Sequence, residues 1–193
     1  MPPAGLTRAR VIEEAAAVAD EFGIEQLTLA EVADRLGVSV PALYKHVSGI
    51  EGVRRDLAVR AVRELTMAMA TAALGRAGKD ALDGIATAYR DYAHVHPGVS
   101  AAGVRAPAPD DHEHLAAGDA AVDVIAAALG GYGLTDDEMV HTIRAFRIIM
   151  HGLVSLEASG GFAMPHSLDD TFHRIIDGLH AALVAKHGPH PRE

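Results

Sequence analysis

The apolar residues of this chain recur every three or four positions almost throughout, and no stretch shows the alternation typical of a β-strand. A spacing of three to four residues is the period of an α-helix. The pattern predicts helices over about residues 7–22, 28–36, 39–47, 48–74, 79–96, 112–129, 135–159 and 168–186, with a further short helix or irregular turns within 97–111. We therefore predict an all-α protein of about nine helices.

Residues 28–47 carry the signals of two short helices joined by a tight turn. Thr28 stands where a hydroxyl can cap the first helix. Gly37 follows the last apolar position of that helix, where a left-handed residue ends a helix at little cost. Ser39 can cap the second helix, and Pro41 fits its first turn, where no amide donor is needed. Two short helices in this arrangement fit a helix-turn-helix, whose second helix enters the major groove of DNA. The same signals fit a helical hairpin within a bundle that has no role in DNA binding.

The sequence of residues 23–53 also resembles the TetR family of bacterial regulators. The segment reads GIEQLTLAEVADRLGVSVPALYKHVSGIEGV. The resemblance is carried by Gly23, Leu27, Thr28, Val32, Ala33, Leu36, Gly37, Val38, Pro41, Leu43, Tyr44, His46 and Val47. It covers about residues 7–60, and His151-Gly152-Leu153 also resembles one type of C-terminal domain in that family. The resemblance implies an N-terminal three-helix DNA-binding domain, here residues 1–48, and a C-terminal helical bundle, residues 49–193, for ligand sensing and dimerisation.

The same resemblance implies which residues meet DNA. Thr28, at a helix N-terminus, is expected to bind a phosphate. The start of the second helix faces base edges, and the residues that follow face the groove wall or the backbone. The expected DNA-binding set is Thr28, Ser39, Val40, Pro41, Ala42, Tyr44, Lys45 and His46. One departure removes an expected phosphate contact, because Ile50 stands where the family often has lysine. Arg54 and Arg55 are alternatives to it, and both also fit an ordinary solvated helix face.

The last two predicted helices are more apolar than one-sided surface helices need to be. The first of them carries Met139, Ile143, Phe146, Met150 and Leu153 on one stripe, widened by Ile149, Gly152 and Leu156. The second carries Leu168, Phe172, Ile175, Ile176, Leu179 and Leu183. We expect a homodimer through these helices, as TetR-like proteins form. The alternative is that both helices are simply core.

A small-molecule effector site is expected among the C-terminal helices, as in TetR-like regulators. Its candidate residues combine a phenol and imidazole stripe with a polar arc on an otherwise apolar helix, which suits an apolar pocket with a few polar groups. They are Tyr89, Tyr92, His96, Arg144, Arg147 and His151. The alternatives are tyrosines satisfied within the core and arginines paired with acids across a dimer.

Composition and charge restrict the remaining function classes. The net charge of −9 disfavours nucleic acid, but residues 1–63 hold eight Lys/Arg against nine Asp/Glu, so most of the negative charge lies beyond them. The chain has no cysteine, which excludes thiolate metal sites and disulfides. Neither a signal peptide nor a run of about 18 apolar residues is apparent, so we expect a cytoplasmic protein without membrane contact.

Catalytic and metal-dependent functions are less favoured. No nucleophile elbow, phosphate loop or zincin helix appears, so we expect neither an enzyme nor a cofactor. Twelve histidines allow a metal hypothesis, chiefly at His94-x-His96 and Asp110–His114. Ligands one residue apart on a helix point about 200° apart and chelate poorly, so we expect no metal site. The predicted function is that of a DNA-binding regulator, a repressor that a small molecule releases from a palindromic operator. A ligand-independent DNA-binding protein and, behind it, a metal-responsive regulator are the alternatives.

Overall fold

The computed structural model describes residues 5–187, which form nine α-helices and no β-strand. The helices are α1 Arg8–Phe22, α2 Leu29–Leu36, α3 Val40–Leu43, α4 Gly49–Ala73, α5 Gly78–Val95, α6 Pro97–Ala102, α7 His112–Leu129, α8 Asp136–Ala158 and α9 Leu168–His187. Short 3₁₀ turns occupy Ile24–Gln26 and Gly130–Tyr132. The predicted all-α class is confirmed.

Threonine caps set the starts of three helices. The hydroxyls of Thr7 and Thr28 each accept a hydrogen bond, at 3.2 Å, from the backbone N–H three residues further on. Thr135 accepts one from the backbone N–H of Glu138 at 3.4 Å, and the Glu138 carboxylate accepts from the backbone N–H of Thr135 at 3.0 Å. This is a complete capping box. Because caps are local, the predicted starts of these helices agree with the structure.

Two local predictions need correction. Helix α3 is a single turn, Val40–Leu43, and does not reach residue 47; hydrogen-bonded turns follow it, with the N–H of Val47 donating to the Leu43 carbonyl at 3.0 Å. Ser39 occupies the N-cap position, but its side chain makes no capping hydrogen bond. For residues 97–111 the sequence allowed either a short helix or irregular turns, and the structure has helix α6 there.

The described residues divide into two compact units, each with its own core. One comprises the residues up to Arg63 together with Val95–Leu115, and the other comprises Glu64–His94 together with the residues from Ala116 onward. The fully buried core of the first unit includes Val11, Val18, Val32, Leu43, Val53, Leu57 and Val99. That of the second includes Leu82, Ile85, Leu129, Phe146 and Met150. The functional boundary at residue 48 stays a prediction.

Helix α6 packs against α1 by a close backbone approach at Gly98. A Cβ at this position would lie 1.9 Å from the Ala19 carbonyl oxygen, so only glycine fits. The side chain of Asp20 completes the contact, because it accepts hydrogen bonds from the N–H of Val99 at 2.8 Å and from Nδ1 of His96 at 3.0 Å. The start of α6 is therefore capped by a carboxylate from α1, 79 residues away in sequence from Val99.

Helix α7 and the turn after it are long and apolar enough, by length and composition, to meet the criterion for a membrane span. The mean hydropathy of residues 112–132 reaches 1.3. Water-soluble proteins with apolar core helices meet the same criterion, so one such helix is weak evidence for insertion. In this unit Ile125, Ala128 and Leu129 are buried in the core, while Asp119 and Asp123 are exposed.

Candidate nucleic-acid interface

The turn between α2 and α3 is built by local sequence. Gly37 has φ 66° and ψ 33°, the left-handed conformation, and its N–H donates to backbone carbonyls at the end of α2. Leu29 and Val32 bury one face of α2, and Leu43 and Val47 anchor the segment that follows the turn. The four buried side chains fix which residues of α3 face outward.

The predicted DNA-binding residues all reach the surface of this segment. Tyr44, with 61% of its surface exposed, projects furthest among the aromatic residues here. Thr28, Ser39, Pro41, Tyr44 and Lys45 are exposed, and Val40, Ala42 and His46 are partly so. One continuous segment thus presents the whole set, and their contacts with DNA stay a prediction. Tyr44 lies beside the start of α4, since a Cβ on Gly49 would come within 3.9 Å of its ring.

Several cations of this unit are bound to nearby carboxylates. Arg35 donates to Glu21 at 2.6 Å and to Glu31 at 3.3 Å, and its guanidinium lies 5.2 Å from the centre of the Phe22 ring. Lys45 differs, because it makes no ion pair within residues 5–187. A lysine next to the recognition turn without a carboxylate partner remains available to a phosphate.

In the second unit, two of the predicted ligand residues meet. The hydroxyl of Tyr89 lies 3.0 Å from Nδ1 of His151, and the two rings pack edge to face with centroids 5.7 Å apart. Burial raises the pKa of Tyr89, and the positive charge of Arg147 opposes that shift. Burial lowers the pKa of His151, and Arg147 lowers it further. Both groups are therefore neutral near pH 7, and they satisfy each other where the buried Tyr89 meets the partly exposed His151.

The other candidate ligand residues do not converge on this pair. The Tyr92 hydroxyl donates to Glu64 at 3.0 Å. His96 belongs to the first unit, where it contacts Asp20. Arg144 and Arg147 are exposed on α8. The structure thus brings together Tyr89 and His151, with Arg147 close enough to affect both.

Sequence reasoning missed a buried ion pair in the same unit. Arg90 and Glu157, whose side chains are 13% and 6% exposed, pair at 2.6 Å. Asp169 also accepts from Arg90 at 2.7 Å, and the guanidinium lies 5.0 Å from the centre of the Phe172 ring. Although burial raises the pKa of Glu157, hydrogen bonds from Arg90 and His94 outweigh it and hold that pKa below its usual value. The available signal was that Glu157 follows Leu153 by four residues on the apolar face of α8.

The described residues contain no group of three or more His, Asp or Glu side chains arranged to hold a metal ion. His112 and Glu113 lie at the start of α7. There the Glu113 carboxylate accepts from Arg55 at 2.7 Å and pairs with Arg63 at 2.9 Å. Hydrogen bonding to Arg55 lowers the pKa of Glu113 more than desolvation raises it.

Two family models match the chain. Residues 11–57 match the model described as bacterial regulatory proteins of the tetR family. Residues 82–179 match the model described as the tetracyclin repressor-like C-terminal domain. The first range contains the helix-turn-helix, and the second contains Tyr89, His151 and the Arg90–Glu157 pair.

Whole-chain relatives agree with these matches. The HTH-type transcriptional regulator Rv0681 of Mycobacterium tuberculosis is 36% identical over 159 residues, which are 82% of this chain and 73% of that protein. YobS, an HTH-type transcriptional regulator of Bacillus subtilis, is 31% identical over 92% of this chain and 95% of its own length. Among solved structures, a TetR variant of Acinetobacter baumannii in complex with minocycline has the same fold. Its TM-score is 0.72 at 22% identity, over 95% of this chain and 99% of that one.

This protein is a DNA-binding transcriptional regulator, as its fold, its exposed helix-turn-helix and its relatives together show. The chain belongs to the TetR family.

Proposed function

We propose that this regulator is a cytoplasmic repressor that binds a palindromic operator as a homodimer and is released by a small-molecule effector. The observation that carries effector control is the pair formed by the buried Tyr89 and the partly buried His151, which places two neutral polar groups against an apolar core next to the charge of Arg147. Such groups are costly to bury, and an apolar site needs a few of them to orient a ligand. The minocycline complex of the structural neighbour supports a ligand site in this fold.

The surface of α8 and α9 that is free for a partner is narrower than the two predicted apolar stripes. Phe146 and Met150 of α8 and Phe172 and Ile176 of α9 are buried in the core of their own chain, so most of the two apolar stripes has no need of a partner. Each helix keeps one exposed row, which on α8 includes Gly152 and Leu156 from the margin of the predicted stripe. On α8 it comprises Arg144, Ile148, Gly152 and Leu156, and on α9 it comprises Gly178, Ala181, Ala182 and Ala185.

A second copy of the chain fits these two rows. Ile148 is 72% exposed, and a Cβ added to Gly152 or Gly178 would have no atom within 4 Å. Small residues beside an exposed isoleucine allow two helices to approach closely. Regulators of this family are dimers, and a closed dimer makes the same surface of both copies the interface.

Changing Ile148 to Glu tests the dimer, because an unpaired charge at the centre of the interface would be desolvated. Light scattering should show monomers for Ile148→Glu and dimers for the matched control Val122→Glu, which alters an exposed valine of α7 in the same unit. A dimer that persists in Ile148→Glu places the interface elsewhere.

Selection of binding sites from random DNA tests the operator. Two recognition segments related by a two-fold axis should select a palindrome with half-site centres about 34–36 Å apart, one helical turn of DNA. A consensus without dyad symmetry contradicts binding as a symmetric dimer. The genes that adjoin the selected sites then supply candidate effectors.

Effector control is tested by titrating a candidate ligand calorimetrically with and without saturating operator. Linkage requires operator DNA to weaken ligand binding by the factor by which the ligand weakens DNA binding, about 5- to 150-fold for a coupling of ~1–3 kcal/mol. His151→Gln should reduce ligand affinity, while His141→Gln, which alters an exposed histidine of the same helix, should not. Equal ligand affinities in both titrations exclude that ligand as the signal, and a regulator unresponsive to every candidate is the ligand-independent alternative.

A further inference from the structure

A cleft of about 390 Å³ opens at the start of α4, beside the recognition segment. Side chains from three parts of the first unit line it. Arg8 comes from the start of α1, His46 and Ser48 follow α3, and Arg55 and Asp56 belong to the second turn of α4. The cleft thus joins His46, a predicted DNA-binding residue, to two arginines.

Position 50, at the start of α4, supplies no cation beside the recognition segment. Ile50 is partly buried and packs against the hydrophobic core of this unit, so it offers nothing to a phosphate. A chain with a net charge of −9 depends on local cations to hold DNA. The arginines of the cleft are candidates because they lie next to the recognition segment.

Arg55 is already committed to carboxylates. Its Nε and Nη2 donate to the two oxygens of Asp111, and its Nη1 donates to Glu113 at 2.7 Å and to Asp56 at 3.1 Å. These bonds raise its pKa, and its side chain is 31% exposed. A phosphate would have to displace at least one carboxylate to bind Arg55.

Arg8 is differently placed. Its side chain is 61% exposed, and its Nε and Nη2 donate to the two carboxylate oxygens of Asp56, at 2.8 and 2.6 Å. A guanidinium has five N–H groups, so three of them take no part in this pair. A two-point contact also restricts the rotation of a long side chain, which reduces the entropy lost when a second anion binds.

We propose that Arg8 contacts a backbone phosphate of the bound DNA and that Asp56 is the positioning residue that aims it. Arg8 then supplies the contact that Ile50 cannot make. Asp56 also accepts from Arg55, so its negative charge is shared between two guanidinium groups and repels the phosphate less. The inference rests on DNA binding and is independent of repression or effector release.

The test is the salt dependence of binding to two duplexes of equal length, the selected operator and a random sequence. Arg8→Gln should weaken binding to both by the same factor, because a phosphate contact is blind to sequence. It should also lower the slope of log K against log salt by about 0.9 per protomer, the value for one phosphate. Arg8→Lys keeps the charge and should keep the slope, while binding more weakly than the wild type because lysine cannot form the two-point contact with Asp56.

Arg63→Gln is the matched control. Arg63 is also on the surface, 57% exposed, and pairs with the Glu113 carboxylate at 2.9 Å, but it does not line the cleft. Its variant should keep the wild-type slope. The Arg63–Glu113 pair is exposed, and the largely buried Asp56 keeps its hydrogen bond from Arg55 when Arg8 is replaced. Both glutamine variants should therefore melt close to the wild type.

Three results would overturn the proposal. An unchanged slope in Arg8→Gln removes the phosphate contact, and an equal loss of slope in Arg63→Gln shows that net charge alone is responsible. Wild-type affinity in Arg8→Lys removes the positioning role of Asp56. Absence of wild-type binding to either duplex would instead count against DNA binding itself.

Discussion

Replacing Gly98 by Ala should separate α6 from α1 and destabilise the unit that contains the helix-turn-helix. The new Cβ would lie 1.9 Å from the carbonyl oxygen of Ala19, 2.1 Å from its carbonyl carbon and 2.7 Å from the nitrogen of Asp20. All three are backbone atoms of a helix. Relief therefore requires movement of a helix, because no flexible side chain can turn away.

The size of the effect follows from these distances. Carbon and oxygen atoms pack at about 3.3–3.6 Å, so the helices must part locally by about 1.4 Å. That displacement breaks the 2.8 Å hydrogen bond from the N–H of Val99 to the Asp20 carboxylate. Overpacking costs about 1–3 kcal/mol and the loss of a hydrogen bond to a charged group about 1.5–3 kcal/mol. We expect a total loss of about 3–5 kcal/mol in the free energy of unfolding.

Urea denaturation followed by far-ultraviolet circular dichroism measures this loss, at one fixed protein concentration because the regulator is proposed to dimerise. Gly118→Ala is the control. A Cβ at Gly118 in α7 has no atom within 4 Å, so alanine there should stabilise by about 0.5–1 kcal/mol. If the urea midpoint of Gly98→Ala is not lower than the midpoints of the wild type and of Gly118→Ala, α6 is not held against α1 as described, and the reasoning fails.

Three further predictions concern the second unit and the recognition segment. Thermal stability should fall as the pH drops below about 6.5, the ordinary pKa of histidine. Burial lowers the pKa of His151 in the folded protein, so the unfolded chain binds the proton more readily. His151→Gln should weaken this pH dependence, and an unchanged pH profile in that variant would contradict the prediction. Arg90→Met should cost about 3–5 kcal/mol by leaving the buried Glu157 carboxylate with His94 as its only remaining partner among the described residues. Adding Glu157→Leu should recover most of the loss in urea titrations, and a double variant no more stable than the single one would argue against this account. Lys45→Ala should weaken binding to all duplexes alike, while Ala42→Gln should change the consensus obtained by selection; if both leave operator affinity and consensus unaltered, the recognition segment is elsewhere.

The helix-turn-helix was predictable because its signals are local. A threonine cap, a left-handed glycine and a proline in the first turn act over at most four residues, so Thr28, Gly37 and Pro41 indicate the turn without knowledge of the rest of the chain. The prediction went wrong where two local preferences competed. The apolar spacing of Leu43 and Val47 suggested one continuous helix. In the structure Leu43 is the last residue of α3 and Val47 lies in the turns that follow, yet both side chains are buried.

The candidate sites were less predictable, because a helical stripe says which residues share a face and not what that face meets. Tyr89, Tyr92 and His96 follow one stripe, yet their partners are His151, Glu64 and Asp20. These partners are 62, 28 and 76 residues away in sequence. The spacing of residues along one helix carries no information about partners so far away in sequence.

The helical class, the recognition segment and the family of this protein could be predicted from the amino-acid pattern, because each depends on contiguous residues. Only the packing of the helices shows that Phe172 is core and Ile148 is surface, because both are large apolar residues on a predicted stripe or beside one. It also shows that Arg55 is enclosed by three carboxylates while Arg8 keeps most of its surface in solvent. The burial and the ion pairing of a side chain depend on which helices pack over it, and these helices are often distant in sequence.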